Sequence, residues 1–74
     1  MNFTLEVRPN APSPIWYETE HIRICVGEIS LDREGYRLHY VGQSAVLKPE
    51  ARAALRIFGE EQVGLLNLTI RMLK

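Results

Sequence analysis

The stretch EHIRICVGEISLDREGYRLHYV, from Glu20 to Val41, constrains the fold more than any other part of the chain. Ile22, Ile24 and Val26 alternate with His21, Arg23 and Cys25, the period of a strand with one buried face. The phase then slips, because the next apolar residues are Ile29 and Leu31. A β-bulge at Gly27–Glu28 would absorb the extra residue and keep both apolar sets on one face. Asp32-Arg33-Glu34-Gly35 reads as a turn, with Gly35 free to take positive φ. The return strand puts Tyr36, Leu38 and Tyr40 on one face. If Leu31 pairs with Tyr36, then Ile29 meets Leu38 and Val26 falls near Tyr40. The opposite face gathers His21, Arg23, Cys25, Glu28, Ser30, Arg37 and His39.

Other elements follow from the same rules. Asn2 to Arg8 alternates and is expected to be a first strand, ended by Pro9. Pro9 to Tyr17 carries three of the four prolines and the one tryptophan. It reads as a stiff connector presenting Trp16 and Tyr17, and its Pro9-Asn10-Ala11-Pro12 is a weak PxxP ligand, because Arg8 alone precedes it and no basic residue follows the second proline. Lys48-Pro49-Glu50 opens a helix, with proline where its missing N–H costs nothing and a glutamate in the positive first turn. Ala51, Ala54, Leu55 and Phe58 form its apolar stripe, and Gly59 is the expected stop. Leu66, Leu68, Ile70 and Met72 alternate with polar residues and favour a final strand over a continued helix from Glu60.

The expected architecture is therefore α+β: a single domain over 1–74, with a small, mostly antiparallel four-stranded sheet in the order β-β-β-α-β and one helix on its apolar face. The expected lining is Phe3, Leu5, Val7, Ile22, Ile24, Val26, Ile29, Leu31, Tyr36, Leu38, Tyr40, Leu55, Phe58, Leu66, Leu68 and Ile70. A helix about 15 Å long cannot cover that sheet alone. Cover is expected from the Trp16 segment, from a homodimer that pairs the edge Leu65–Leu73 or packs its apolar faces together, or from a larger partner adding a strand.

Composition narrows the function classes. The chain is 46% hydrophobic and 24% charged, with nine basic and nine acidic residues. That is the make-up of a folded domain with no net field to draw nucleic acid or an anionic membrane. The single cysteine excludes an internal disulfide and a CxxC metal pair, and with no secretory signal it points to the cytoplasm. Asn2-Phe3-Thr4 and Asn67-Leu68-Thr69 match the glycosylation sequon and read as chance matches. No apolar run reaches the roughly 20 residues of a membrane span.

No catalytic motif is present, and no cofactor is expected. Ser30, His39 and Asp32 lack a pocket or an oxyanion hole. Cys25 and His21 lie about 13 Å apart along one strand, too far to share a metal. Protein binding remains: Trp16, Tyr17, Arg23, Arg37 and His39 are the expected contact residues, since aromatic and arginine side chains anchor interfaces. A domain of this size and kind suits a regulator or inhibitor that docks on a larger protein, phage-encoded antagonists of host machinery included. The alternative is a nucleic-acid-binding regulator using Lys48, Arg52 and Arg56, which recur at i, i+4 and i+8.

Overall fold

The computed structural model describes residues 2–73. Four strands, β1 (Asn2–Leu5), β2 (Ser13–Glu18), β3 (Arg23–Asp32) and β4 (Gly35–Tyr40), form an antiparallel meander in the order β1-β2-β3-β4. A 3₁₀ turn at Gly42–Val46 leads into one helix, α1 (Pro49–Leu73). The class is α+β, with a four-stranded antiparallel sheet and one helix on its apolar face, as expected. The order of elements is not: it is β-β-β-β-α.

The hairpin follows the expected register, with Leu31 opposite Tyr36 and Ile29 opposite Leu38. The slip lies one residue earlier than expected and on the other side of β3. β3 pairs with β4 without interruption, while against β2 the partners jump from Ile15–Gly27 to Trp16–Cys25, leaving Val26 as the extra residue. Gly27 suits the tight space there: a Cβ would stand 3.1 Å from the His39 carbonyl oxygen. The bulge delivers Val26 to the core, where it is fully buried beside Ile15 and Ile29.

The proline-bearing segment is a strand from Ser13 onward, not a connector. Pro14 sits where the pairing with β1 is ending. Glu6 still donates its N–H to the Pro14 carbonyl at 3.0 Å, so the absent proline donor spoils only the last rung. The Ser13 hydroxyl accepts the Arg8 N–H at 2.9 Å, closing the β1–β2 turn. β1 is correspondingly shorter than expected, ending at Leu5.

The largest correction concerns the end of the chain. α1 runs for 25 residues, about 37 Å at 1.5 Å per residue, through Gly59 and across the segment expected to be a strand. Gly59 is not a stop but a point of close approach. It is buried, and a Cβ there would lie 2.6 Å from a Leu38 methyl. No edge strand Leu65–Leu73 exists, so a homodimer cannot form by pairing it.

Because the sheet curls, α1 reaches both of its edges: Phe58 packs on Phe3 of β1 at 5.9 Å between centroids, and Gly59 on Leu38 of β4. Further along, the Asn67 side chain meets the backbone of Tyr36 with both its ends. Its Oδ1 accepts the Tyr36 N–H at 2.7 Å, and its Nδ2 donates to the Tyr36 carbonyl at 3.3 Å. In an antiparallel ladder these outward groups belong to a pair that is not hydrogen-bonded to its neighbour strand. The amide therefore stands in for a fifth strand at Tyr36 and blocks pairing at that rung of the edge. Asn67 is thus engaged in the fold, consistent with reading its sequon as chance.

The core is Ile15, Val26, Ile29, Leu47, Ala51 and Leu55, with Phe3, Leu5, Tyr17, Ile24, Tyr36, Leu38, Phe58, Val63 and Leu66 packed around it. Of the expected lining, Val7, Ile22, Leu31, Tyr40 and Leu68 are exposed instead. Ile15 lies in the segment expected to be a connector and Leu47 just before the helix, so neither belongs to the expected lining. Among the described residues no helix is long and apolar enough to cross a membrane.

Three substitutions test this packing. Asn67→Ala should cost about 2 kcal/mol in urea unfolding, since it strips two partners from partly buried backbone groups. Gly64 has open space around it, so Gly64→Ala should stabilise by about 0.5–1 kcal/mol through helix propensity. Gly59→Ala should lose that gain to overpacking against Leu38.

Candidate functional site: two arginine-bearing surfaces

Period-two alternation sends Trp16 and Tyr17 to opposite faces of β2. Tyr17 joins the core side, 5.4 Å from the Phe3 ring. Trp16 lies on the outer face with its partner Cys25. The two aromatics therefore do not form one anchor, and neither sits on a loop.

The outer face does gather Trp16, Arg23, Arg37 and His39, as the hairpin register requires. The Arg23 guanidinium lies 3.9 Å from the Trp16 ring centroid, a cation–π contact. Arg23 also reaches Glu6 at 3.7 Å and Glu18 at 3.5 Å. Arg8 pairs with Glu6 at 2.6 Å. Arg37 pairs with Asp32 at 2.9 Å and also with Glu34. His39 Nε2 is 3.0 Å from the Ser30 hydroxyl, and Glu28 is its cross-strand neighbour. Each of the three arginines on this side is thus held by a carboxylate of its own chain.

The Glu6 carboxyl is held below its ordinary value, first by the hydrogen bond from Arg8. Burial pushes the other way, and the Arg8 charge, Trp16 and Arg23 add smaller lowering effects. The Trp16 indole N–H is buried with no acceptor in full hydrogen-bonding geometry. It lies close enough to Glu6 to favour the charged carboxylate without making a proper bond.

The basic residues of α1 are arranged differently. Lys48 precedes the helix, and its carbonyl accepts the Arg52 N–H at 2.9 Å. Arg52 and Arg56 lie one turn apart and, with Tyr40, Ser44, Ala53 and Leu55, line an open cleft of about 470 Å³ beside the end of β4. All three basic side chains are exposed, and among the described residues none makes an ion pair. The cleft couples an apolar floor to two free guanidinium groups, each able to grip a carboxylate or phosphate with two hydrogen bonds.

Sequence reasoning found the Arg52–Arg56 spacing but not Tyr40, which was assigned to the core. Counted without a bulge from Leu31–Tyr36, the hairpin sets Tyr40 opposite Gly27, which has no side chain to cover it. Among the described residues no three of His, Cys, Asp and Glu come together as metal ligands. No protein family, curated protein or solved structure matches this chain.

Glu6 supplies a pH test. Its folded pKa is below its unfolded value, so its contribution is present above the unfolded pKa and is lost as pH falls through the folded one. In acid titration from about pH 5 downward, Glu6→Gln should show a flatter loss of stability than the parent. Arg23→Ala should uncover the indole and shift Trp16 emission to the red.

Proposed function

We propose that this domain is a non-enzymatic binding module that docks on an acidic segment of a larger protein through the Tyr40–Arg52–Arg56 cleft. One observation carries the reading. The sheet-face arginines are already paired within the chain, whereas Arg52 and Arg56 are exposed and, among the described residues, unpaired beside an apolar floor. An incoming carboxylate would therefore meet two guanidinium groups that have no internal bond to break. Arg37 and Arg23 would have to give up Asp32, Glu34, Glu6 or Glu18 first. Tyr40 and Ala53, both exposed in the cleft, add the apolar contact that separates docking from simple counter-ion exchange. Such a module fits a regulator or inhibitor acting by occupancy.

The same arginines could meet phosphates, and Lys48 would extend that track. Against this, the chain carries no net charge, and Glu50 lies in the first turn of the same helix. A phosphate track gains from a continuous basic field, which this surface lacks.

Affinity capture with the full chain should retain a partner that Arg52→Glu/Arg56→Glu loses and Arg23→Ala keeps. Tyr40→Ala should weaken capture with less dependence on salt. Titration with single-stranded and duplex oligonucleotides at low salt should be flat. Binding that falls steeply with salt would instead assign the cleft to nucleic acid.

A further inference from the structure

The outward side of α1 carries an apolar seam where a helix lying on a sheet ordinarily carries charge. Ile57, Leu65, Leu68 and Met72 are 55, 60, 52 and 78% exposed. At about 100° per residue, Ile57, Gly64 and Leu68 fall within about 40° of one another. They lie opposite Leu55, Gly59 and Leu66, the side that faces the sheet. Leu65 and Met72 widen the seam on one flank. Gly64 leaves a gap in it, with nothing near the position a Cβ would take. Glu61 and Arg71 close the two ends of the Gly64–Leu68 stretch, and among the described residues neither has an ion-pair partner.

We propose that a second copy of this chain occupies the seam, the two α1 helices packing antiparallel about a two-fold axis level with Leu66. The charges select this arrangement. With the axis at Leu66, Glu61 of each copy faces Arg71 of the other, and Leu68 of each fills the gap at Gly64 of the other. The Leu65 side chains meet near the axis. These are the alternating layers of an antiparallel helix pair, with the glycine allowing close approach. A parallel pair would set Glu61 against Glu61 and Arg71 against Arg71. An antiparallel pair moved toward the helix start, with Ile57 facing Leu68, would bring the two Glu61 carboxylates together over the glycines. Both alternatives place like charges in contact, and only the Leu66-centred pair matches opposite ones. Arg52 and Arg56 lie roughly 100° or more around the helix from the seam, so the cleft beside Tyr40 stays open in the dimer.

The seam is narrow, so the dimer is expected at the weak, reversible end of specific interfaces. Sedimentation velocity of the full chain, from low micromolar to sub-millimolar concentration, should show a monomer passing to a dimer and no larger species. Leu68→Glu should leave the helical signal and melting of the dilute monomer intact and remove the dimer. Glu61→Arg and Arg71→Glu should each weaken association roughly tenfold or more, and the two together should restore it to within a few-fold of the parent. A parent that stays monomeric throughout overturns the proposal. So does a dimer that survives Leu68→Glu, or a double charge exchange that fails to recover what the single changes lose.

Discussion

The two hydrogen bonds between the Asn67 side chain and the Tyr36 backbone fasten the far half of α1 to the edge of the sheet, and much else depends on them. The first half of the helix is held by burial of Ala51, Leu55 and Gly59. Beyond Gly59 the contacts thin to partly buried Val63 and Leu66, too little to hold a helix end by apolar area alone. The amide supplies direction where area is scarce. It also explains the turn before it. Gly35 takes φ +126°, and a Cβ there would lie 2.6 Å from Asn67 Oδ1. Conformation and space thus require glycine at the same point, and the hairpin turn is shaped to receive the helix.

The Asn67 amide blocks one rung of the β4 edge, at Tyr36. In β4 the outward groups of Tyr36 are taken by Asn67, and β1, the opposite edge, is only four residues long. Short edges limit pairing with other chains. The outer face is quieted by a different means. Arg8, Arg23 and Arg37 are matched to Glu6, Glu18, Asp32 and Glu34. Exposed pairs of this kind add little stability. They do decide which charges are free to meet another molecule, and the balanced total conceals an uneven distribution: among the described residues the sheet neutralises its arginines and α1 does not.

How far the sequence could be read follows from which signals were local. The β3–β4 hairpin was legible because apolar alternation, turn residues and glycine placement all act within one stretch. The start of α1 was legible for the same reason, through Pro49 and Glu50. β2 was hidden because Pro12 and Pro14 argue against a strand unless the pairing of each rung is known, and Pro14 falls where β1 is already leaving. Gly59 read as a stop because its reason, the Leu38 methyl groups, lies on another element. The paired state of Arg23 and Arg37 likewise depends on neighbours that no spacing rule supplies, so the outer face looked like the binding surface.

The misreading of the final segment has a sharper cause. Leu66, Leu68, Ile70 and Met72 alternate as a strand would, yet they lie on a helix. On a helix, residues two apart point about 160° away from each other. Leu66 and Ile70 therefore turn toward the protein, while Leu68 and Met72 turn away from it, as their burial shows. A helix apolar on opposite sides imitates the period of a strand. An amphipathic helix with one polar side does not produce that pattern, because its outward positions are charged. The false strand signal and the outward seam are thus the same fact: the sequence spends its apolar residues on two sides of α1, and the sheet can account for only one of them.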